Sequence, residues 1–221
     1  MVNKRELQKE TTRKRLLSTA LDLFQSKGYV ATTIDDIAVA AATTRVTFYA
    51  HFPNRRDIML ALIDELNAIL ERGATESGRS TASALVDAVR VGTAETIGPW
   101  LRTQAHRWPA MKPYLLSAAE ASAVDDEIRV VYENWADEVI ADIVDGLAEA
   151  DRYAPDTRHM RGELAFGMLD RTAQHWMHHA WDIDTGPELD VLTEAWAKIL
   201  GEGEEPTFRA AATPDPAVVE K

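Results

Sequence analysis

The sequence predicts an all-α fold of about nine helices, with a three-helix helix-turn-helix unit at the N-terminus joined to a larger helical domain. Three observations predict it. Apolar residues recur at i, i+3, i+4 and i+7 over most of the 221 residues, the stripe of an amphipathic helix. Glycines, prolines and Ser/Thr/Asp caps punctuate these stripes at helix-length intervals. No alternating apolar–polar run of useful strand length occurs, and no internal repeat is found.

The first helix is expected from Lys4 to Lys27, with Leu17, Ala20, Leu21 and Phe24 on one face and Gly28 as the stop. Thr33-Ile34-Asp35-Asp36 opens the second, which ends near Ala41; Thr33 caps it, and Asp36 brings a carboxylate to the first-turn amides. Thr43 and Thr44 can cap a third helix over about 45–51, anchored by Val46, Phe48 and Phe52. Asn54-Arg55-Arg56-Asp57 repeats the cap pattern and opens a fourth over about 54–72, with the stripe Ile58, Leu62, Leu66, Ile69 and Leu70. That helix joins both parts and is the expected lever between them. Gly73 to Ser83 reads as a connection. Further helices are expected at about 82–104, 107–118, 124–151, 157–181 and 187–201, punctuated by Pro109, Pro113, Pro155 and Pro187. Residues 202–221 have little to bury and are expected to form a disordered tail. The expected division is 1–53, 54–201 and the tail.

Composition narrows the function. Zero cysteines exclude disulfides, thiolate zinc sites, iron–sulfur clusters and a cysteine nucleophile together. No apolar run approaches the ~20 residues of a membrane span, and the charged N-terminus lacks a signal-peptide core, so a cytoplasmic protein is expected. The formal charge of −12 argues on its face against a nucleic-acid partner. Its distribution argues otherwise. Residues 1–60 hold 10 Lys+Arg against 6 Asp+Glu, a net of +4, whereas residues 61–221 hold 14 against 30, a net of −16. Two segments of opposite sign suggest two kinds of partner, the first anionic.

Residues 33–52 read as helix, tight turn, helix, and the second helix offers Thr44, Arg45, Thr47, Tyr49 and His51 at accessible positions. A short rigid helix of this kind can enter the major groove, with Arg for guanine N7/O6 and Thr for a thymine methyl. Tyr49 and His51 can donate to phosphate oxygens, and Arg55 and Arg56 stand where a helix N-terminus and guanidinium groups converge on a phosphate.

Thr33-Ile34-Asp35-Asp36-Ile37-Ala38 and Thr47-Phe48-Tyr49-Ala50-His51-Phe52-Pro53-Asn54-Arg55-Arg56-Asp57 resemble the DNA-binding signature of TetR-family transcriptional regulators, a match covering about residues 10–60. By that resemblance Thr44, Arg45 and Thr47 approach base edges, and Thr33, Tyr49, His51 and Arg55 hold phosphates. The sequence departs from the family at the turn, where Ala42-Thr43 replaces the usual Gly-Val. Alanine in left-handed backbone costs roughly 1 kcal/mol.

The resemblance implies that the acidic remainder is a ligand-binding and dimerisation domain. A patchier similarity, in Met168-Leu169-Asp170-Arg171-Thr172, Glu133-Asn134-Trp135 and Trp196 before Ile199-Leu200-Gly201, points to the branch containing the ethionamide-resistance repressor and implies an elongated apolar tunnel. All six tryptophans lie in this part. Trp100, Trp135, Phe166, Leu169 and Trp196 are the expected ligand-lining residues, with core or dimer packing as the alternative for each. The spacing of His175, His178 and His179 can hold a metal, but no E-x-x-H motif precedes any histidine, which weakens a di-iron reading. The run sits near a helix end, where His favours the dipole, so capping or interface packing is favoured. No cofactor is expected. The resemblance also implies that the last two helices, at about 157–181 and 187–201, pair with a second copy, so that two recognition helices read a palindromic operator on double-stranded DNA. A repressor homodimer released by a small hydrophobic or aromatic effector is the reading this supports. The alternatives are a DNA-binding regulator without a small ligand, and a helical metal-dependent enzyme.

Overall fold

The computed structural model describes residues 4–69 and 82–201. Among them it contains ten helices: α1 (Lys4–Lys27), α2 (Ile34–Ala40), α3 (Arg45–Tyr49), α4 (Arg55–Ile69), α5 (Ala82–Val91), α6 (Ala94–Ala105), α7 (Trp108–Ser122), α8 (Asp126–Glu149), α9 (Pro155–His179) and α10 (Glu188–Leu200). No strand occurs among the described residues, and none of their helices is long and apolar enough to cross a membrane. Leu70, most of the expected 73–83 connection and the expected tail lie outside the described residues.

The helix expected over 82–104 is two helices. Gly92 takes φ +75°, a left-handed conformation that ends α5, and Thr93 in extended backbone precedes α6. Arg152 makes the break possible. Its guanidinium donates to the carbonyls of Val89 (2.8 Å), Arg90 (3.1 Å) and Val91 (3.2 Å), and to Leu200 at the end of α10 (2.9 Å). One side chain from the α8–α9 turn thus satisfies the orphan carbonyls of two helix ends. The signal for it is sixty residues away in sequence.

Two cores form. One gathers Leu16, Leu17, Ala20, Leu21 and Phe24 of α1 with Ile37, Phe48, Phe52 and Ile58–Ile63, together with Ala118 and Ala121 of α7 and Ile128 of α8. The other gathers α5, α6, α8, α9 and α10 around Trp108, Met111, Trp176 and Trp196, together with Leu66 of α4. Three helices therefore belong to both cores: α4, α7 and α8, the last through Ile128 on one side and Ile143 and Leu147 on the other. The sequence singled out α4. Of the other two, α7 packs its N-terminal half in the acidic part and its C-terminal half under α1 and α4.

Candidate DNA interface and ligand cavity

The α2–α3 turn is built from local chemistry. Thr33 caps α2 reciprocally: its hydroxyl accepts from Asp36 N (3.1 Å) while its backbone N donates to Asp36 Oδ2 (2.8 Å). Lys27 bonds the same carboxylate oxygen at 2.6 Å, and this bond, with those from Thr33, holds the Asp36 carboxyl far below the usual range. Helix α2 ends with the Ala42 N–H bonded to Val39 O and the Thr43 N–H to Ala38 O, and Ala42 carries φ 49°. This is a Schellman closure with alanine in the glycine position. The turn keeps its geometry despite the substitution, at the cost of backbone strain.

Thr44 caps α3 through Thr47 N (3.2 Å), and the two hydroxyls lie 3.0 Å apart. Phe48 and Phe52 face inward on successive turns, so Val46, two residues from Phe48, points away. It is 80% exposed and does not anchor the helix as expected. The outward face of α3 is therefore Arg45, Val46 and Tyr49. Arg45 reaches Asp35 of α2 (3.1 Å) and the Tyr49 hydroxyl (3.5 Å), an exposed arrangement that costs little to exchange for another partner.

The remaining expected residues stand at the edge. His51 is half-buried, and its Nδ1 has no hydrogen-bond partner among the described residues. Burial, then the charges of Lys9 and Arg13, push its pKa down. Arg55 has partners other than those expected. Its Nη1 donates to the carbonyls of Tyr29 (2.9 Å), Val30 (3.0 Å) and Thr32 (2.8 Å), and its guanidinium lies 4.2 Å from the Tyr29 ring centroid. It pins the α1–α2 turn. Arg56 is also engaged, with Asp125 (2.8 Å) and Glu127 (2.6 Å) at the start of α8. The structure thus brings Thr44, Arg45, Thr47 and Tyr49 together on α3 with Thr33 at the α2 cap, and turns Arg55 and Arg56 toward the rest of the protein.

A cavity of about 220 Å³ lies in the acidic part, enclosed by α6, α7, α8 and α9 with Leu85 of α5. Trp100, Trp135, Phe166 and Leu169 line it. Trp196 does not, which corrects the expectation. It is fully buried behind Trp100, stacked at 5.6 Å, with its Nε1 donating to Ala165 O (3.0 Å). It is the wall that positions Trp100. Sequence reasoning missed Trp108, Tyr132, Gln104, Asp170, Gln174 and His178, which also line the cavity. A signal existed for Asp170. It falls within the inward stripe of α9, between Phe166, Leu169 and Ala173, where a carboxylate is out of place. His175 and His179 stack at 4.6 Å near the end of α9, and among the described residues no group of three His, Cys, Asp or Glu is set to hold a metal.

Comparison with known proteins agrees with this geometry. Residues 16–62 match the family model described as bacterial regulatory proteins, tetR family. The chain is 32% identical over 77 residues to the HTH-type transcriptional regulator EthR of Mycolicibacterium smegmatis, 35% of this chain and 36% of that protein. The chain thus spans about a third of this relative's length. It is also 30% identical over 95 residues to TtgW of Pseudomonas putida, an uncharacterised HTH-type transcriptional regulator, 40% of this chain and 71% of that protein. The fold is similar to that of NalD from Pseudomonas aeruginosa, the secondary repressor of the MexAB-OprM multidrug efflux pump, at TM-score 0.63 and 18% identity over 86% of this chain and 97% of that one.

Proposed function

The chain belongs to the tetR family of bacterial regulatory proteins, and from that premise we propose that it is a ligand-responsive repressor that binds a palindromic operator as a homodimer. In this reading α3 enters the major groove. Arg45 reads a guanine edge, Val46 and the methyls of Thr44 and Thr47 meet apolar base edges, and Tyr49, His51 and Thr33 hold flanking phosphates. Two copies pair through α9 and α10. The exposed stripe Met160, Leu164 and Gly167 on α9, with Val191 on α10, supports that pairing. A would-be Cβ at Gly167 meets nothing within 4 Å, so a partner backbone has room to approach.

The observation that carries the ligand response is the position of α7. Leu115, Leu116 and Ala119 line the cavity. Ala118 and Ala121, on the same two turns, pack in the core of the DNA-binding helices. A ligand that moves one face moves the other, and a coupling of about 1–3 kcal/mol suffices. The test is operator retardation by the wild type and an Arg45→Ala/Tyr49→Ala variant. The variant is expected to lose operator binding and remain dimeric. Retained binding to its own promoter would overturn the role of α3. Silence across an acyl and aromatic library in thermal-shift screening would favour a regulator without a small ligand.

A further inference from the structure

The cavity is not uniformly apolar. Asp170, Gln174 and His178 stand at i, i+4 and i+8 on α9 and give it one polar edge. Apart from Gln104 of α6, the rest is aromatic and aliphatic, with Trp100 from α6, Trp108 from α7, Tyr132 and Trp135 from α8 and Phe166 from α9. Among the described residues its lining contains one acid and no Lys or Arg.

Asp170 has a neutral partner. Its Oδ2 accepts from Gln174 Nε2 at 2.6 Å, and among the described residues no cation makes an ion pair with it. Arg171, next in the chain, lines a different groove with Thr172, His175 and Val191. Burial holds the Asp170 carboxyl above its ordinary range, against the pull of Arg171 and Gln174. A half-buried carboxylate with no ion-pair partner in contact is destabilising in the empty protein.

We propose that the cavity takes a lipophilic organic cation, an ammonium group on an aromatic or alkyl body, with the charge at Asp170 and the body among Trp100, Trp108, Trp135 and Phe166. The inference rests on reading the cavity as an effector site and names the class of effector. The cation supplies the contacting positive charge that Arg171, turned to another groove, does not, and a charge-assisted hydrogen bond forms away from bulk water. Ring faces attract the same charge. A neutral ligand gains only the apolar contacts, and an anion meets a like charge at Asp170. The site also sits where a response can start. The charge of Asp170 acts on Tyr132, and Tyr132 packs against the core of the DNA-binding helices.

Titration calorimetry on the full chain near neutral pH tests this with three probes sharing one body: 4-phenylbutylammonium, 4-phenylbutan-1-ol and 5-phenylpentanoate. The ammonium is expected to bind about tenfold tighter than the alcohol, with the carboxylate weakest. In Asp170→Asn the ammonium and the alcohol are expected to converge to within about threefold. Equal binding of ammonium and alcohol to the wild type, or preference for the carboxylate, overturns the cation assignment and leaves the effector cavity standing. Silence from all three overturns the effector reading, and the proposal with it. The wild-type series decides the charge preference without depending on any variant folding.

Discussion

Glu120, one residue beyond the cavity-lining Ala119, accepts a hydrogen bond from the backbone N–H of Tyr29 at 2.9 Å. The same carboxylate takes the Val30 N–H at 3.3 Å. Tyr29 and Val30 follow the left-handed Gly28 at the end of α1, so Glu120 ties α7 to the turn that orients α2 and α3. Arg55 holds the carbonyl side of that turn and Glu120 holds the amide side.

This clasp is expected to transmit the ligand response. Glu120→Ala leaves two amides without their acceptor and should cost about 1–3 kcal/mol of stability. Ligand affinity at the cavity should change little, while the ratio of operator affinities with and without ligand should shrink. Retardation assays at matched ligand saturation measure this, and an unchanged ratio would remove Glu120 from the pathway.

Arg45 is the exposed guanidinium on α3, held by an ion pair with Asp35 that solvent already weakens. Arg45→Ala is expected to cost about 1–3 kcal/mol of operator affinity and to relax discrimination at one base pair per half-site. Competition binding against single-base operator variants reads both effects. A uniform loss across all variants would assign Arg45 to the phosphate backbone instead.

The two helix ends capped by Arg152 give a stability prediction. Arg152→Ala removes donors to four carbonyls and should lower stability by several times the ~1 kcal/mol of a single net hydrogen bond. Gly92→Ala should also destabilise, because φ +75° strains any side chain and the new methyl would meet Arg152 Nη1. Thermal unfolding of both variants checks the pair. Neutral behaviour of Gly92→Ala would contradict the left-handed stop.

Asp170 sets a pH dependence. Its folded pKa is raised by burial, so its neutral form favours the fold fully below the unfolded value of about 3.9, and that advantage is lost as pH rises through the folded value. The titratable or charged groups around it are Tyr132 from α8 and Arg171 and His178 from α9. Tyr132 is pushed up by burial and by Asp170, so it stays neutral across this window. Asp170→Asn is therefore expected to be more stable than the wild type near neutral pH, with the gap closing toward acid. Melting curves from acid to neutral pH test the sign, and a gap that widens toward acid would reverse it.

Leu164 stands 51% exposed on the outward stripe of α9. If the proposed dimer pairs through α9, Leu164→Arg should leave the stability of the single chain within about 0.5 kcal/mol and yield a monomer in sedimentation where the wild type is a dimer. A persistent dimer would move the interface away from α9.

Much of the helix-turn-helix was legible because its determinants are local. Thr33 with Asp36, the α2 closure at Ala42-Thr43 and the Phe48–Phe52 spacing each act within a few residues, so short-range sequence carries them. Val46 was misread because a five-residue helix has too few turns to show its inward face. Four of the five expected cavity residues were readable as large apolar side chains on inward stripes. Whether such a side chain lines a cavity or stands behind it is a matter of depth, and Trp196 and Trp100 differ only in which of two stacked rings faces the space.

The sequence by itself determined most of the helices, the caps of α2 and α3 and the split between a +4 segment and a −16 remainder, but not the break at Gly92. Those follow from backbone conformation and periodicity, which neighbouring residues set. Only the tertiary structure decided the partners of the charges. Arg55, Arg56, Glu120 and Arg152 are all exposed-type residues in the sequence, and each is used across 23 to 91 positions of chain. Asp170 joins them as a half-buried charge whose contacting partner, Gln174, is neutral. A hydrogen bond or ion pair depends on which atoms packing brings within about 3 Å, and hydrophobic stripes fix that only after the helices have docked.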